Sequence, residues 1–375
     1  MNLMHAMNRQ FMVPTLLIIT LSIVSCDLLN SSKSDVTDHK MYVFSNTAQK
    51  FYLIDYRNFE IVKEIPLQMP YEVSEEISRL AFMTLSTGGD HLFFEVTGTW
   101  PEPSLGFARY DIGKEEFTGL FYTEFIRSGP TRFIAAQDGS APGLIFAHLR
   151  DYGTYAIDLF EEQVKETISE EHHFRLQKWI SHSPDDRWTV VHNIWSGTGG
   201  YDEIQFYRKD SGFRDLIFTL SEGGSDSIAI YDFEFSKDGE RLFLTYQLSD
   251  GRSRNIESYF GSYDLETGKL AESDLRFPWS LNPYYTAYSP KRNEVYTIGA
   301  YQEFHILNVE THEREKVIVL SGKTQGSSRI QLTPDENIAF ISCALDNSIF
   351  VIDLNMREVV HTIDVLERPY IMIIP

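Results

Sequence analysis

The stretch Arg329-Ile-Gln-Leu-Thr-Pro-Asp-Glu-Asn-Ile-Ala-Phe-Ile-Ser-Cys-Ala-Leu-Asp-Asn-Ser-Ile-Phe-Val-Ile-Asp-Leu-Asn-Met-Arg-Glu-Val-Val-His-Thr-Ile-Asp-Val365 reads as four short strands joined by three turns. Thr333-Pro-Asp-Glu336 is the first turn, Leu345-Asp-Asn347 the second and Asn355-Met-Arg357 the third. Proline presets the backbone dihedral of a turn, and Asp or Asn accepts hydrogen bonds from its own following backbone. The runs between these turns are β-branched and aromatic, which suits strands.

The same unit recurs through the chain. First turns of this kind stand at Gly88-Gly-Asp90, Gln137-Asp-Gly139, Ser183-Pro-Asp-Asp186, Ser236-Lys-Asp-Gly239, Ser289-Pro-Lys-Arg292 and Thr333-Pro-Asp335. They are roughly 44–53 residues apart, the spacing of propeller blades. Third strands align as Phe51–Asp55, Gly106–Asp111, Thr154–Asp158, Ile204–Tyr207, Phe260–Asp264, Phe304–Asn308 and Phe350–Asp353. All but Ile204–Tyr207 end in Asp or Asn, and one turn-capping role accounts for them together. The N-terminal unit from Met41 lacks a first strand, while Arg368–Pro375 supplies only a first strand, with Ile374-Pro375 standing where Thr333-Pro334 stands. The expected fold is therefore all-β: a seven-bladed β-propeller of four-stranded antiparallel blades. Its ring is closed by the C-terminal strand joining the N-terminal blade, so that Tyr370–Ile374 lies alongside Met41–Ser45. Closure removes the unpaired sheet edges that invite aggregation.

Ala344–Ile363 resembles the YVTN-type propeller repeat, and Met41-Tyr-Val-Phe-Ser-Asn46 with Tyr52-Leu-Ile-Asp55 is a second match. That WD-like family includes surface and periplasmic proteins of many roles, so the resemblance implies a fold more than an activity.

Residues 1–25 read as a signal. Phe11–Val24 is an apolar run shorter than the roughly 20 residues of a membrane-spanning helix, and Arg9 precedes it. Translation could start at Met1 or Met7. Ile23-Val-Ser-Cys26 resembles the lipobox of bacterial lipoproteins. In that family the Cys is acylated and becomes the new N-terminus, which implies lipidation at Cys26 and a membrane anchor of several acyl chains. The polar, Ser-rich residues 26–40 read as a tether, leaving 41–375 as a single propeller domain. Cys343 is the only other cysteine. With Cys26 acylated, no intrachain disulfide forms, and Cys343 is expected to be an inert buried thiol.

The formal charge is -21, and removal of residues 1–25 takes away Arg9 alone, leaving the chain one unit more negative. Such a body repels nucleic acid and anionic headgroups. The expected setting is the bacterial cell envelope, periplasmic or surface-exposed, with the protein monomeric and held to the membrane by lipid.

In a propeller of this strand order, the second-to-third and fourth-to-first connections share one face around the channel mouth. Trp100, Trp195, Tyr201 and Trp279 fall in or beside loops of that face, and Arg252 and Arg254 make another of its loops locally basic. Aromatic rings there either form a platform for a protein or glycan or fold back on blade edges. Arg132, Trp179, Asp232, Tyr285, Arg329 and Tyr370 occupy equivalent positions near the channel entrance. Arg132 and Arg329 are candidates to take an anionic group through a bidentate fork, or to make ion pairs between blades. His172 and His173, with His182 and His192, lack zinc-ligand spacing, and no calcium loop, nucleophile elbow or phosphate-cradling loop is present. No metal, cofactor or catalytic residue is expected. Two functions compete: a non-catalytic envelope lipoprotein whose propeller face binds a partner protein or glycan, and a propeller enzyme of lactonase or dehydrogenase type acting at the channel mouth.

Overall fold

The computed structural model describes residues 39–45, 50–66, 77–86, 88–98, 104–126, 132–135, 144–149, 153–169, 175–185, 187–195, 202–208, 216–218, 227–249, 256–277, 285–298, 303–320, 329–365 and 367–375. Every regular element among them is a strand. The chain opens with β1 (Lys40–Ser45), β2 (Lys50–Asp55) and β3 (Glu60–Pro66). Next come β4 (Ile77–Leu85), β5 (His91–Gly98), β6 (Ser104–Asp111) and β7 (Glu116–Ile126), then β8 (Arg132–Ala135), β9 (Leu144–Leu149), β10 (Gly153–Asp158) and β11 (Gln163–Ser169). They are followed by β12 (Arg175–His182), β13 (Trp188–Trp195), β14 (Asp202–Arg208) and β15 (Leu216–Phe218), and by β16 (Ser227–Phe235), β17 (Arg241–Ser249), β18 (Ile256–Asp264) and β19 (Lys269–Phe277). The last are β20 (Tyr285–Ser289), β21 (Glu294–Ile298), β22 (Glu303–Asn308) and β23 (Arg314–Val319), β24 (Ile330–Leu332), β25 (Ile338–Cys343), β26 (Ser348–Asp353) and β27 (Glu358–Asp364), and β28 (Pro369–Ile373).

Each sheet is four-stranded and antiparallel, and from β4 to β27 each is built from four consecutive strands. The remaining sheet has the order β28-β1-β2-β3. There the C-terminal strand lies beside the N-terminal one, with Tyr42 opposite Ile373 and Val43 opposite Met372. The expected pairing of Tyr370–Ile374 with Met41–Ser45 is present.

Strand alternation explains how the sheets stack. Successive side chains point to opposite faces, and in the second and third strands both faces are buried. In β26 every residue but Asp353 is buried, and β2 and β22 are buried through their centres. From the first sheet, Tyr42, Phe44 and Phe51 pack with Phe94 and Tyr110 of the β4–β7 sheet. Met41, Val43, Tyr52 and Ile54 point the other way and pack with Phe340, Ile349 and Val351 of the β24–β27 sheet. Each fully buried side chain of this size contributes about 1.5–3 kcal/mol. Similar cores join β13 and β14 to β16–β18, β17 and β18 to β21, and β21–β23 to β25 and β26. First strands pack on one another in succession: β4 on β8, β8 on β12, β16 on β20, β20 on β24, β24 on β28 and β28 on β4, with β14 packing on β16. Fourth strands are the outer edge. β3 and β27 share one pattern, exposed along most of their length with a single buried isoleucine, Ile65 or Ile363.

The turns follow two rules. After the third strand, Asp55, Asp158, Asp264, Asn308 and Asp353 each accept backbone N–H bonds from residues two or three further on. Asp111 does the same to Lys114 at 2.9 Å. The residue four places after each of these takes a left-handed conformation: Phe59, Glu115, Glu162, Gly268, His312 and Arg357, with φ between 53° and 66°. After the first strand, the hydroxyl of Ser86, Ser183, Ser236 or Thr333 accepts the N–H five residues on and donates to Asp90, Asp185, Asp238 or Asp335. The Ser236 hydroxyl holds the Asp238 carboxyl below its ordinary range, and Thr333 does the same for Asp335. The third-strand aspartates thus have the turn-capping role expected of them.

Candidate functional site

The two ends of the strands differ in what their side chains do. At one end lie the capped turns, and there the side chains tie sheet to sheet. Arg357 bridges Glu294 at 2.7 Å and Glu315 at 2.6 Å, and Glu294 also accepts the Tyr296 hydroxyl at 2.7 Å. Arg292 donates to the carbonyls of Glu336 and Leu354 and to Asn337 and Asn355. Glu336 accepts from Ser289 and from the Lys291 amide. These groups are occupied with structure.

At the other end the first strands begin. Asp232 in β16 reaches across to the next sheet, where its carboxylate accepts the Thr286 amide at 2.7 Å. Thr245 and Thr286 hydroxyls meet at 3.2 Å behind it. Tyr285, which opens β20, lies beneath the Arg329 guanidinium, whose carbon is 4.3 Å from the ring centroid. The Arg329 backbone is fixed in turn: its N–H donates to the Ser342 hydroxyl at 3.0 Å, and its carbonyl accepts the Ser342 N–H at 3.1 Å. The buried Arg329 Nε has no hydrogen-bond partner among the described residues. Asp232, Tyr285 and Arg329 therefore form an arc over three successive sheets.

Glu234 sits two residues beyond Asp232 in β16 and so faces the same side. Its surface is accessible while protein packs closely about its carboxyl. Enclosure in protein raises its carboxyl to about 8, and the neighbouring Asp232 charge adds to the rise. A carboxyl that holds its proton near neutrality is a group suited to donate one.

Of the residues singled out in the sequence, Arg329 lies at this end, over a tyrosine ring and with no ion pair among the described residues. Arg132 opens β8, at the equivalent place in its sheet. Trp195 ends β13, on the face where Arg329 stands. Cys26, Trp100, Tyr201, Arg252, Arg254 and Trp279 lie outside the described residues. Cys343 is buried and in no disulfide among the described residues. Among the described residues no group of three His, Cys, Asp or Glu side chains is arranged to hold a metal ion. His182 and His192 fall on paired strands, opposite Thr189 and Trp179 respectively, and not opposite one another. Glu234 escaped the sequence reading. The signal that would have found it is its two-residue offset from Asp232 in a strand whose end is fixed by the Ser236 turn.

No family model matches the chain, and no curated protein matches it. Among solved structures it is similar to hydrazine synthase of Kuenenia stuttgartiensis, with 14% identity and a TM-score of 0.62 over 84% of this chain and 93% of that one. It is also similar to the dihydro-heme d1 dehydrogenase NirN in complex with DHE, with 13% identity and a TM-score of 0.54 over 90% of this chain and 75% of that one. Both are β-propeller folds. At such identities the likeness concerns architecture alone, and the chain is a β-propeller.

Proposed function

We propose that this chain is a bacterial envelope lipoprotein, acylated at Cys26. Its propeller has seven blades, is closed by β28, and binds a partner protein or glycan on the face where the first strands begin. The pairing of β28 with β1 and the packing of β28 between β24 and β4 support the ring. The observation that carries the binding face is the placing of the Arg329 guanidinium over the Tyr285 ring where the first strands begin. One end spends its charged side chains on turns and on ties between sheets. The other holds Arg329 with Nε unpaired among the described residues, and the sequence puts Trp100, Trp195, Tyr201, Trp279, Arg252 and Arg254 in the connections of that same end. Aromatic and Arg side chains dominate binding energy where surfaces meet. The test is capture from a membrane extract by the acylated protein, with the bound material identified. The triple substitution Trp100→Ala, Trp195→Ala, Trp279→Ala is expected to abolish capture of the species the native protein holds. Unchanged capture would sink this reading.

A second reading, a propeller enzyme acting on a small molecule in the channel, is favoured by Glu234 and Asp232. A carboxyl that keeps its proton near neutrality beside a second carboxyl group is suited to proton transfer. The two solved structures of like fold carry the names of enzymes, a synthase and a dehydrogenase. Proton release from a panel of lactones, measured with purified protein and with the Glu234→Gln variant, tests it. Turnover that vanishes in the variant supports the enzyme, and absence of turnover by the native protein counts against it.

A further inference from the structure

Arg329 stands in a chain that carries 54 acidic against 33 basic residues, several of whose cations pair with carboxylates. Arg187 pairs with Asp185 and Glu266, Arg357 with Glu294 and Glu315, Lys63 with Glu115, and Lys50 with Glu64. Arg329 has no carboxylate partner among the described residues. The segments that run into Tyr285 and Arg329, residues 278–284 and 321–328, contain no Asp or Glu either.

Its geometry is also set in advance. The Tyr285 ring lies against the guanidinium, a contact that restrains the side chain without using its N–H donors. The two hydrogen bonds to Ser342 fix the backbone from which the side chain extends. Ordering has thus been settled before any ligand arrives, which raises affinity. The Nε atom, buried and without a partner among the described residues, is the inner donor of a fork whose natural complement is a planar two-oxygen anion.

We infer that Arg329, held against Tyr285, is a receptor for a carboxylate of the ligand at the channel mouth. This rests on the binding-face reading above and narrows its ligand to a carboxylate-bearing one. A carboxylate fits better than a phosphate for two reasons. The fork is planar and single, and the field of a body of charge -21 opposes a dianion more than a monoanion.

The same group can come from an acidic sugar or from a peptide C-terminus, and titration calorimetry with paired probes separates the two. One pair is trigalacturonate and its methyl ester. The other is acetyl-dialanine with a free and with an amidated C-terminus. At least one free carboxylate is expected to bind, with its ester or amide roughly tenfold weaker or worse, as loss of a charge-assisted bond implies. Arg329→Gln is expected to weaken that probe by the same factor, while Tyr285→Phe, which keeps the ring, binds as the native protein does. Thermal midpoints of both variants are measured alongside. Should Arg329→Gln fail to fold, Arg329→Lys keeps a cation over the ring without the fork, and is expected to bind at least several-fold more weakly. Native protein that binds neither carboxylate, or a folded Arg329 variant that binds as well as native, overturns the inference. Its failure is separable from that of the wider reading. Partner capture that depends on the tryptophans but not on Arg329 leaves the binding face standing and removes the carboxylate receptor. Carboxylate binding that survives the triple Trp substitution does the reverse.

Discussion

Gly239 has a φ of 70°, and a Cβ there would stand 2.5 Å from the Asp185 Oδ1 of the preceding sheet. Both the backbone and the neighbour oppose a side chain. Gly239→Ala is expected to lose about 1–2 kcal/mol from its left-handed backbone alone, read as a lower urea midpoint at unchanged slope. Combining it with Asp185→Ala should return part of the loss if the two sites are coupled. Glu234 gives a pH signature. Its carboxyl is raised from 4.5 to about 8 in the folded state, so the fold binds a proton that the unfolded chain releases. The stability carried by that proton is full below the ordinary carboxylate value and is lost as pH rises through about 8. Glu234→Gln keeps a neutral side chain at every pH. Urea midpoints at pH 5 and pH 8 should therefore show the variant gaining on the native protein at the higher pH. Equal pH dependence in the two proteins would mean Glu234 is ionised throughout. These residues mark where the sequence could be read and where it could not. The Asp and Asn caps of the third-strand turns were legible because one chemical role repeats at one register. The left-handed residue four places on was not, because it is Phe59, Glu115, Glu162, His312 or Arg357, side chains with no common chemistry and no glycine to mark them.

Strands and their ties set the next scale. Arg357 closes the third turn of the β24–β27 sheet and reaches Glu294 in β21, whose side chain is only 6% exposed. Removing the guanidinium leaves a buried carboxylate with only the Tyr296 hydroxyl. Arg357→Ala should cost about 1.5–3 kcal/mol, checked by denaturant titration, and the companion change Glu294→Gln should reduce that cost. β28 carries the proposed ring closure. Val43 and Met372 face each other across β1 and β28, so Val43→Cys with Met372→Cys should cross-link within one chain on mild oxidation. Val43→Cys with Pro369→Cys, displaced along the strand, should not. A failure of the first pair to cross-link would remove the pairing on which closure rests. The pairing itself was readable from composition and count. An N-terminal unit short of a first strand and a C-terminal tail with only a first strand complement one another. What could not be read was the direction in which each face points. Tyr42 and Phe44 pack toward Phe94, and Met41 and Val43 toward Phe340, yet all are apolar and give no alternation in the sequence.

The whole molecule couples an acidic propeller to the proposed anchor. Cys26→Ser should abolish incorporation of labelled palmitate and move the protein from the membrane to the soluble fraction, assayed by fractionation and blotting. Label retained on the serine variant would exclude acylation at that cysteine. The sequence by itself determined the class of fold, the spacing of its units and the roles of its turn residues. These are local matters: a turn needs its Asp, Pro or Gly within a few residues, and a strand needs its β-branched and aromatic run, so the information lies along the chain. Tertiary structure alone decided that Arg329 rests on Tyr285 with Nε unpaired among the described residues, and that Glu234 is enclosed beside Asp232. It also decided that Arg357, in a turn of one sheet, ties two strands of the neighbouring sheet. Each of these depends on how one sheet stacks against the next. An arginine looks the same in the sequence whether a carboxylate or an aromatic ring awaits it across that interface, because the partner stands more than 40 residues away and is brought near only by the packing of apolar faces.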